Sequence, residues 1–500
     1  MSVDSIGAMA WQASTRWLWS SSLVVLGAGP VLGQAQWSQF RGPGGLGVAP
    51  DDQTLPAKLD KAENLTWSCE IPPGHSSPCI WGDRIFITGA TDREVQTLCI
   101  DRNSGKVLWS RSAMTDMFEG RHSINSSATP SPTTDGEHVF VYFGSCGLIC
   151  YDLDGKECWL RRMRIPENMY GTAASPILAG GRLVFLRDNA TGSFLEVIEP
   201  ATGETIWRKE REGFTASWST PLIWNNGGVD EIVCYGVGWV TAYALEDGDE
   251  RWSLPGLTDE PCITPITGDG LVYITSYNMR TNPEVIGLPD YAVLLEQYDE
   301  DGDGSLSYEE ARPNASILSR FDADGEGDHP LPGFFRFLDR DRDGQVTSEE
   351  WGRMYEFLNQ FQFANGLLAI RPGNEDRDTQ IVWQHRRGVP ECPSPLLYGG
   401  RLFMVKNGGI LSCLDAKTGA LHFQERLDAG GPYYASPVAG DGKVYMASAR
   451  GVVTTLEAGK ELKVLSSTDL EERIMASPAL LGGTVFIRTE THMYAFHVNS

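Results

Sequence analysis

The chain has 500 residues, 41% hydrophobic and 21% charged, which excludes global disorder and leaves enough apolar material for a packed core. A formal net charge of −25 argues against nucleic acid as a partner, because phosphate binding needs a basic surface. Gly at 55 and Pro at 28 residues imply many turns, and so many short strands.

At the N-terminus, Arg16 precedes an apolar run from Trp17 to Leu32, followed by Gly33-Gln34-Ala35. Small residues at those places fit cleavage after Ala35. Residues 1–35 are therefore expected to be an export signal, with the mature chain periplasmic or extracellular. The run is short for a membrane span, and no later stretch is long enough, so no transmembrane segment is expected in the mature chain. Next comes Trp37-Ser38-Gln39-Phe40-Arg41-Gly42-Pro43. The letters Gly42-Pro43-Gly44-Gly45-Leu46-Gly47 match a dinucleotide fingerprint, but no strand precedes them and no helix follows, so they read as a flexible lead-in loop.

From there a small-hydroxyl–proline pair recurs, at Ser77-Pro78, Ser131-Pro132, Ser175-Pro176, Thr220-Pro221, Thr264-Pro265, Ser394-Pro395, Ser436-Pro437 and Ser477-Pro478. The spacings are 54, 44, 45, 44, 130, 42 and 41, so one unit carries an insertion of about 86 residues. Each unit has the same grammar. A Gly turn leads to a strand such as Arg84–Thr88 or Leu402–Val405, whose period-2 alternation gives it a face to bury. A second strand follows, then a turn such as Ser104-Gly105, Asp154-Gly155 or Thr202-Gly203, then an aromatic: Trp109, Trp159, Trp207, Trp252, Trp383 or Phe423. Four short strands in about 42 residues make a propeller blade. Eight units give an all-β, eight-bladed propeller. Residues 36–282 are expected to hold the N-terminal closing strand and the blades up to the start of the fifth. An insertion would span 283–365, and residues 366–500 would complete the ring.

Between Glu296 and Glu350, 16 Asp and Glu stand against 5 Arg. The acid is ordered. The run Asp299-Glu300-Asp301-Gly302-Asp303-Gly304-Ser305-Leu306-Ser307-Tyr308-Glu309-Glu310 places oxygen donors at positions 1, 3, 5, 7, 9 and 12 of a twelve-residue loop. Asp339, Asp341, Asp343, Gln345, Thr347 and Glu350 repeat the pattern, with Gly304 and Gly344 at the sharp turn. A calcium ion takes oxygen ligands all round, and this spacing wraps a chain about one, with a bidentate Glu last. Two such EF-hand loops imply two Ca²⁺ sites. Leu306 and Val346 would pair between them. Apolar faces at Leu294, Leu295 and Tyr298, and at Phe334, Phe335 and Leu338, fit incoming helices, and Ser348 to Phe361 fits an outgoing one. Pro313 should cut short the first outgoing helix. Asp322 to Asp328 looks like a decayed third loop.

The last unit, from Ile474, has room for three strands. Leu65-Thr66-Trp67-Ser68-Cys69, ahead of the first unit, reads as the missing fourth, so that the two ends of the chain close the ring. The ten cysteines show no CxxC and no adjacent pair. Most lie in strand-like runs, including Cys99, Cys234, Cys262 and Cys413, and read as small buried hydrophobes. His75 and His122 stand just before unit starts, where channel residues could lie, and read as structural.

Cys99-Ile100-Asp101-Arg102-Asn103-Ser104-Gly105-Lys106-Val107-Leu108-Trp109 resembles the PQQ-like, quinoprotein-type propeller repeat, in which Asp, Thr-Gly-Lys and Trp recur once per blade. Val197–Trp207 and Cys413–Phe423 match with losses, and the seventh unit keeps only Ala458-Gly459. The opening Trp37–Pro43 is similar to the start of many exported members. The resemblance implies that the Trp side chains dock neighbouring blades.

Two functions are open. The favoured one is a non-catalytic exported scaffold for a protein or glycan partner in the cell envelope, resembling the propeller lipoprotein of the outer-membrane barrel-assembly machinery. The alternative is a PQQ-dependent dehydrogenase. That resemblance would imply a quinone in the central channel with Ca²⁺ and an Asp base, often over a disulfide between adjacent cysteines. This sequence has no Cys-Cys and offers no assignable channel Glu/Asn/Asp set. PQQ is therefore not expected, and no catalytic residue is assigned.

Overall fold

The computed structural model describes residues 36–498, except 116, 279–289, 312–315, 320–327, 331–334, 337, 360–364 and 375–377. The expected export signal, Pro313, Phe334 and most of the third loop-like run lie outside the described residues.

The strands form eight four-stranded antiparallel blades, one per Ser/Thr-Pro unit. Blade one carries Cys79–Trp81, Arg84–Ala90, Glu94–Asp101 and Val107–Met114, and the short strand Gln36–Trp37 adds to its edge. Blade eight is completed by the N-terminal strand Leu65–Glu70, which pairs with His492–His497. The ring is thus closed by joining the N-terminal strand to the C-terminal blade.

A hydrogen-bonded belt explains the repeated hydroxyl. The backbone N–H of Ser77 donates to Ser131 Oγ (2.9 Å), Ser131 to Ser175 Oγ (2.9 Å) and Ser175 to Thr220 Oγ1 (3.0 Å). Thr264 donates to Ser394 Oγ (2.8 Å), Ser394 to Ser436 Oγ (3.0 Å) and Ser436 to Ser477 Oγ (2.9 Å). Ser477 N–H then returns to Ser77 Oγ (3.0 Å). Each of these seven hydroxyls satisfies a buried N–H of the blade before it, and a buried N–H without a partner would be costly.

The middle strands depart from the expectation of one buried face. All of Val139–Phe143 and Leu402–Val405 are buried. Period-2 alternation still sorts them: Leu402 and Met404 pack with blade five, Phe403 and Val405 with blade seven. Between two neighbours a blade buries both faces, so both halves of the alternation are apolar.

Between third and fourth strands, a register shift recurs in all eight blades, for example at Cys99/Ile100, Val197/Ile198 and Leu65/Trp67. Such bulges re-aim side chains. Just beyond the shift, Trp109 Nε1 donates to Leu153 O (2.9 Å) in the next blade. Trp67, Trp159, Trp207 and Trp383 do the same to Arg102, Pro200, Leu245 and Ala416. Each indole lies against the turn glycine of that neighbour. Gly155, at φ 80°, leaves no room for a Cβ, which would stand 2.6 Å from the Trp109 ring. Trp252 differs, donating within its own blade to Glu231 Oε2 (2.7 Å).

The lead-in loop is an anchored strap, which corrects the expectation of flexibility. Trp37 pairs with Ile80 of blade one, Ser38 O accepts from Thr134 N of blade two, and Gln39 Oε1 accepts from Leu178 N of blade three. Farther on, Arg41 Nη2 donates to Pro395 O of blade six (2.8 Å), and Gly47 and Ala49 exchange bonds with Ala439 of blade seven. Arg41 is fully buried, and burial alone lowers its pKa to about 9. The strap therefore binds blades on opposite sides of the ring to one another.

The insertion sits in blade five, between Leu271–Ser276 and Gly366–Arg371, which pair directly. Its ends are tied just beyond that pairing. Asn278 N donates to Asn365 Oδ1 (3.0 Å), and Asn365 Nδ2 donates to Asn278 O (2.7 Å).

Candidate calcium loops and central channel

Helix α1, Tyr291–Tyr298, leads into the first loop, and α2, Ser348–Asn359, leaves the second. Asp290 caps α1 by accepting from Ala292 N. No helix leaves the first loop among the described residues; a short strand, Ser316–Ser319, follows instead. Leu306–Ser307 pairs with Gln345–Val346, placing Leu306 opposite Val346 as the spacing predicts. Around that pair Tyr291, Leu294, Phe335, Leu338 and Trp351 form a small core, separate from those of the blades.

That core holds the two loops in one geometry. Asp299 accepts from Gly302 N (2.7 Å) and Gly304 N (3.0 Å); Asp339 accepts from Gly344 N (3.1 Å). Glu310 folds back on Glu300 N and Ser307 N, as Glu350 does on Arg340 N and Thr347 N. The Ser307 N–H and hydroxyl lower the Glu310 pKa; in Glu350, burial opposes the shift but the Thr347 and Arg340 N–H groups outweigh it. Both glutamates are therefore held as carboxylates. Gly304 and Gly344, at φ 85° and 90°, make the sharp turn.

The ligand atoms converge in part. Those of Asp299, Asp301 and Glu310 lie within 4.8 Å of one another, as do those of Asp339, Asp341 and Asp343. Of the loop carboxylates, Asp303 and Glu350 lie outside these two groups, and Ser305, Ser307, Gln345 and Thr347 occupy the remaining loop positions. Ser305 Oγ donates to Gln345 Oε1 (3.1 Å), which links the loops. Asp339 Oδ1 is buried without a hydrogen-bond partner. A buried carboxylate oxygen is costly to leave unmatched, and a cation beside it would remove that cost. An all-oxygen donor set with one orphaned carboxylate oxygen fits Ca²⁺.

The second site is the channel, a cavity of about 380 Å³ at the ring centre. Its wall is set by position in the repeat. The eight belt residues line it, and so does the residue two places before each: His75, Thr129, Ala173, Trp218, Cys262, Cys392, Tyr434 and Met475. Of the two histidines expected near the channel, His75 stands at this offset and His122 does not, and both line the cavity. Burial, with the positive Arg488, Arg473 and Arg121 nearby, lowers the His75 pKa to about 3. It is a neutral wall residue. Cys262 corrects its reading as a strand residue: it precedes the strand Ile266–Gly268 and faces the cavity. Tyr170 stands edge-on to both His122 (5.7 Å) and Trp218 (5.0 Å), and its hydroxyl reaches Glu260 Oε1 (3.3 Å). Glu260 and Glu391 line the cavity, whereas no Lys or Arg does among the described residues.

The family described as outer membrane protein assembly factor BamB, with PQQ_2 repeats, matches residues 32–191, 91–292 and 374–498. The EF hand family matches residues 292–310 and 333–355. Outer membrane protein assembly factor BamB of Yersinia pestis is 26% identical over 262 residues, covering 46% of this chain and 61% of that relative. The chain thus spans less than two thirds of the relative's length. Among solved structures, BamB from Moraxella catarrhalis aligns with a TM-score of 0.52 at 10% identity over 87% of this chain and 97% of that one. A europium-containing methanol dehydrogenase gives 0.57 at 10% identity over 93% and 98%. The quinohemoprotein alcohol dehydrogenase from Comamonas testosteroni gives 0.54 at 10% identity over 93% and 81%. At such identity these likenesses speak to the fold alone.

Proposed function

The chain belongs to the propeller family described as outer membrane protein assembly factor BamB, and from that premise we propose that it is an exported, non-catalytic scaffold of the cell envelope carrying a calcium-binding module in blade five. Residues 1–35 would be its export signal, the rest would act outside the cytoplasm, and its partner would be a protein or glycan of the envelope. Asp299, Asp301, Asp303 and Glu310 would hold one Ca²⁺, with Ser305 through its carbonyl and Ser307 directly or through water. Asp339, Asp341, Asp343, Gln345, Thr347 and Glu350 would hold the second in the same order. A bound ion would supply charge neutralisation for a densely acidic module and fix its two loops.

The observation that carries the scaffold reading is the channel wall. PQQ is a polycarboxylate, and a buried site for it needs cations to offset its charge. Glu260 and Glu391 face the cavity directly, whereas the nearby Arg121, Arg473 and Arg488 act on His75 without lining it. Two wall carboxylates would repel those of the quinone, which supports the scaffold reading, and the acidic loops lie elsewhere, in the insertion. The test is to incubate the purified protein with PQQ and Ca²⁺, remove free quinone, and measure absorbance and dye-linked oxidation of primary alcohols. The scaffold reading predicts neither retained quinone nor turnover. Turnover dependent on PQQ would establish the dehydrogenase reading.

A further inference from the structure

All ten cysteines are free thiols. Most, such as Cys79, Cys99, Cys234 and Cys413, are buried within the blades. Cys262 and Cys392 differ. They occupy the same position in consecutive blades, two residues before the belt, and both are half-exposed to the channel. Their separation of 130 residues in sequence, which contains the whole insertion, hides the pairing. The belt bond from Thr264 N to Ser394 Oγ, 2.8 Å, fixes the two backbones side by side. At the same offset from two bonded belt positions, Cys262 and Cys392 are neighbours on the channel wall and act on each other electrostatically.

We propose that Cys262 and Cys392 form a cross-blade dithiol site that a low-molecular-weight disulfide oxidises to a disulfide, covalently fastening blade five to blade six. One cysteine, as its thiolate, attacks a sulfur of the oxidant and expels one thiolate, leaving a mixed disulfide. The second cysteine loses its proton to water, attacks the protein sulfur of that mixed disulfide and expels the other thiolate. Two protein thiols are oxidised while one disulfide is reduced to two thiols, so electrons and protons balance. The channel cavity that both line is the oxidant's route of approach. The neighbouring Cys392, burial, and nearby Glu391 and Glu260 all raise the Cys262 pKa, so oxidation should accelerate as pH rises. The resulting covalent loop would contain residues 263–391, and blade five, with its insertion, could not part from blade six. Neither the scaffold reading nor calcium binding is needed for this inference.

The test exposes the reduced, full-length protein to oxidised glutathione, alkylates remaining thiols with iodoacetamide, and maps peptides by mass spectrometry. The expected result is a fall from ten alkylatable thiols to eight, with a Cys262–Cys392 linked peptide that dithiothreitol removes. The oxidised protein should melt at a higher temperature than the reduced one, and Cys392→Ser should abolish that difference. Cys150 and Cys158 are also close, on neighbouring strands of one hairpin, so Cys158→Ser should leave the link intact. Recovery of both Cys262 and Cys392 as alkylated thiols after the same exposure, or a link confined to Cys150–Cys158, would overturn the proposal.

Discussion

Ser77→Ala tests the belt where the ring closes. Ser77 is buried, and its Oγ accepts the Ser477 N–H at 3.0 Å, joining blade eight to blade one. Alanine keeps the backbone and the donor Ser77 N–H but leaves Ser477 N–H buried without a partner. That should cost about 1–3 kcal/mol, the desolvation penalty of an orphaned donor. Threonine supplies the same hydroxyl at Thr220, so Ser77→Thr should cost less than about 1 kcal/mol if the added methyl is accommodated. Ser175→Ala orphans Ser131 N–H in the same way at a different junction. The double variant Ser77→Ala/Ser175→Ala should therefore lose the sum of the single effects to within about 0.5 kcal/mol. Equilibrium denaturant unfolding, followed by tryptophan fluorescence, reads these changes as midpoint shifts. A Ser77→Ala midpoint indistinguishable from wild type, with threonine as damaging as alanine, would refute a hydroxyl belt as the reason for the repeat.

Three further outcomes are expected. Asp188 and Arg211 form a fully buried pair, with Nε to Oδ1 at 2.9 Å, so Asp188→Asn should strand the guanidinium and cost about 3–5 kcal/mol in the same unfolding assay. Burial pushes the Glu119 carboxyl up to about 7 from an ordinary 4.5, so the folded state holds a proton that the unfolded state has lost; stability should fall by about 3 kcal/mol as pH rises from ~4 to ~8, and Glu119→Gln should flatten that slope. Replacing residues 279–364 with a short Gly-Ser turn should leave a soluble propeller with a cooperative melt, because Asn278 and Asn365 already meet; loss of the melt would mean that the insertion belongs to the propeller core.

Features local to one repeat unit were legible in the sequence. Ser/Thr-Pro marked each belt position, Gly105 and its equivalents marked the docking turns, and the twelve-residue spacing located both acidic loops. Leu65–Cys69 was recognisable as the closing strand because the last unit lacked one. Less legible were contacts that join distant units. The strap around Arg41 has no periodicity, and its partner Pro395 lies 354 residues away. Trp252 had the place of a docking tryptophan, yet Glu231 in its own blade takes its N–H. The channel wall was encoded at a constant offset from the belt, but its side chains run from Ala173 to Trp218, so composition could not reveal it. Cys262 stands at that offset, which separates it from the buried cysteines, but its neighbour Cys392 comes into reach only once the ring closes.

The calcium module is the most direct test of the proposed function's chemistry. Calorimetric titration of the full chain with Ca²⁺, after chelator treatment, should give two ions per chain. Glu310→Gln and Glu350→Gln should each remove or weaken one of them, since each deletes a bidentate carboxylate. A stoichiometry unchanged in both variants, or no heat of binding in the wild-type protein, would contradict the account.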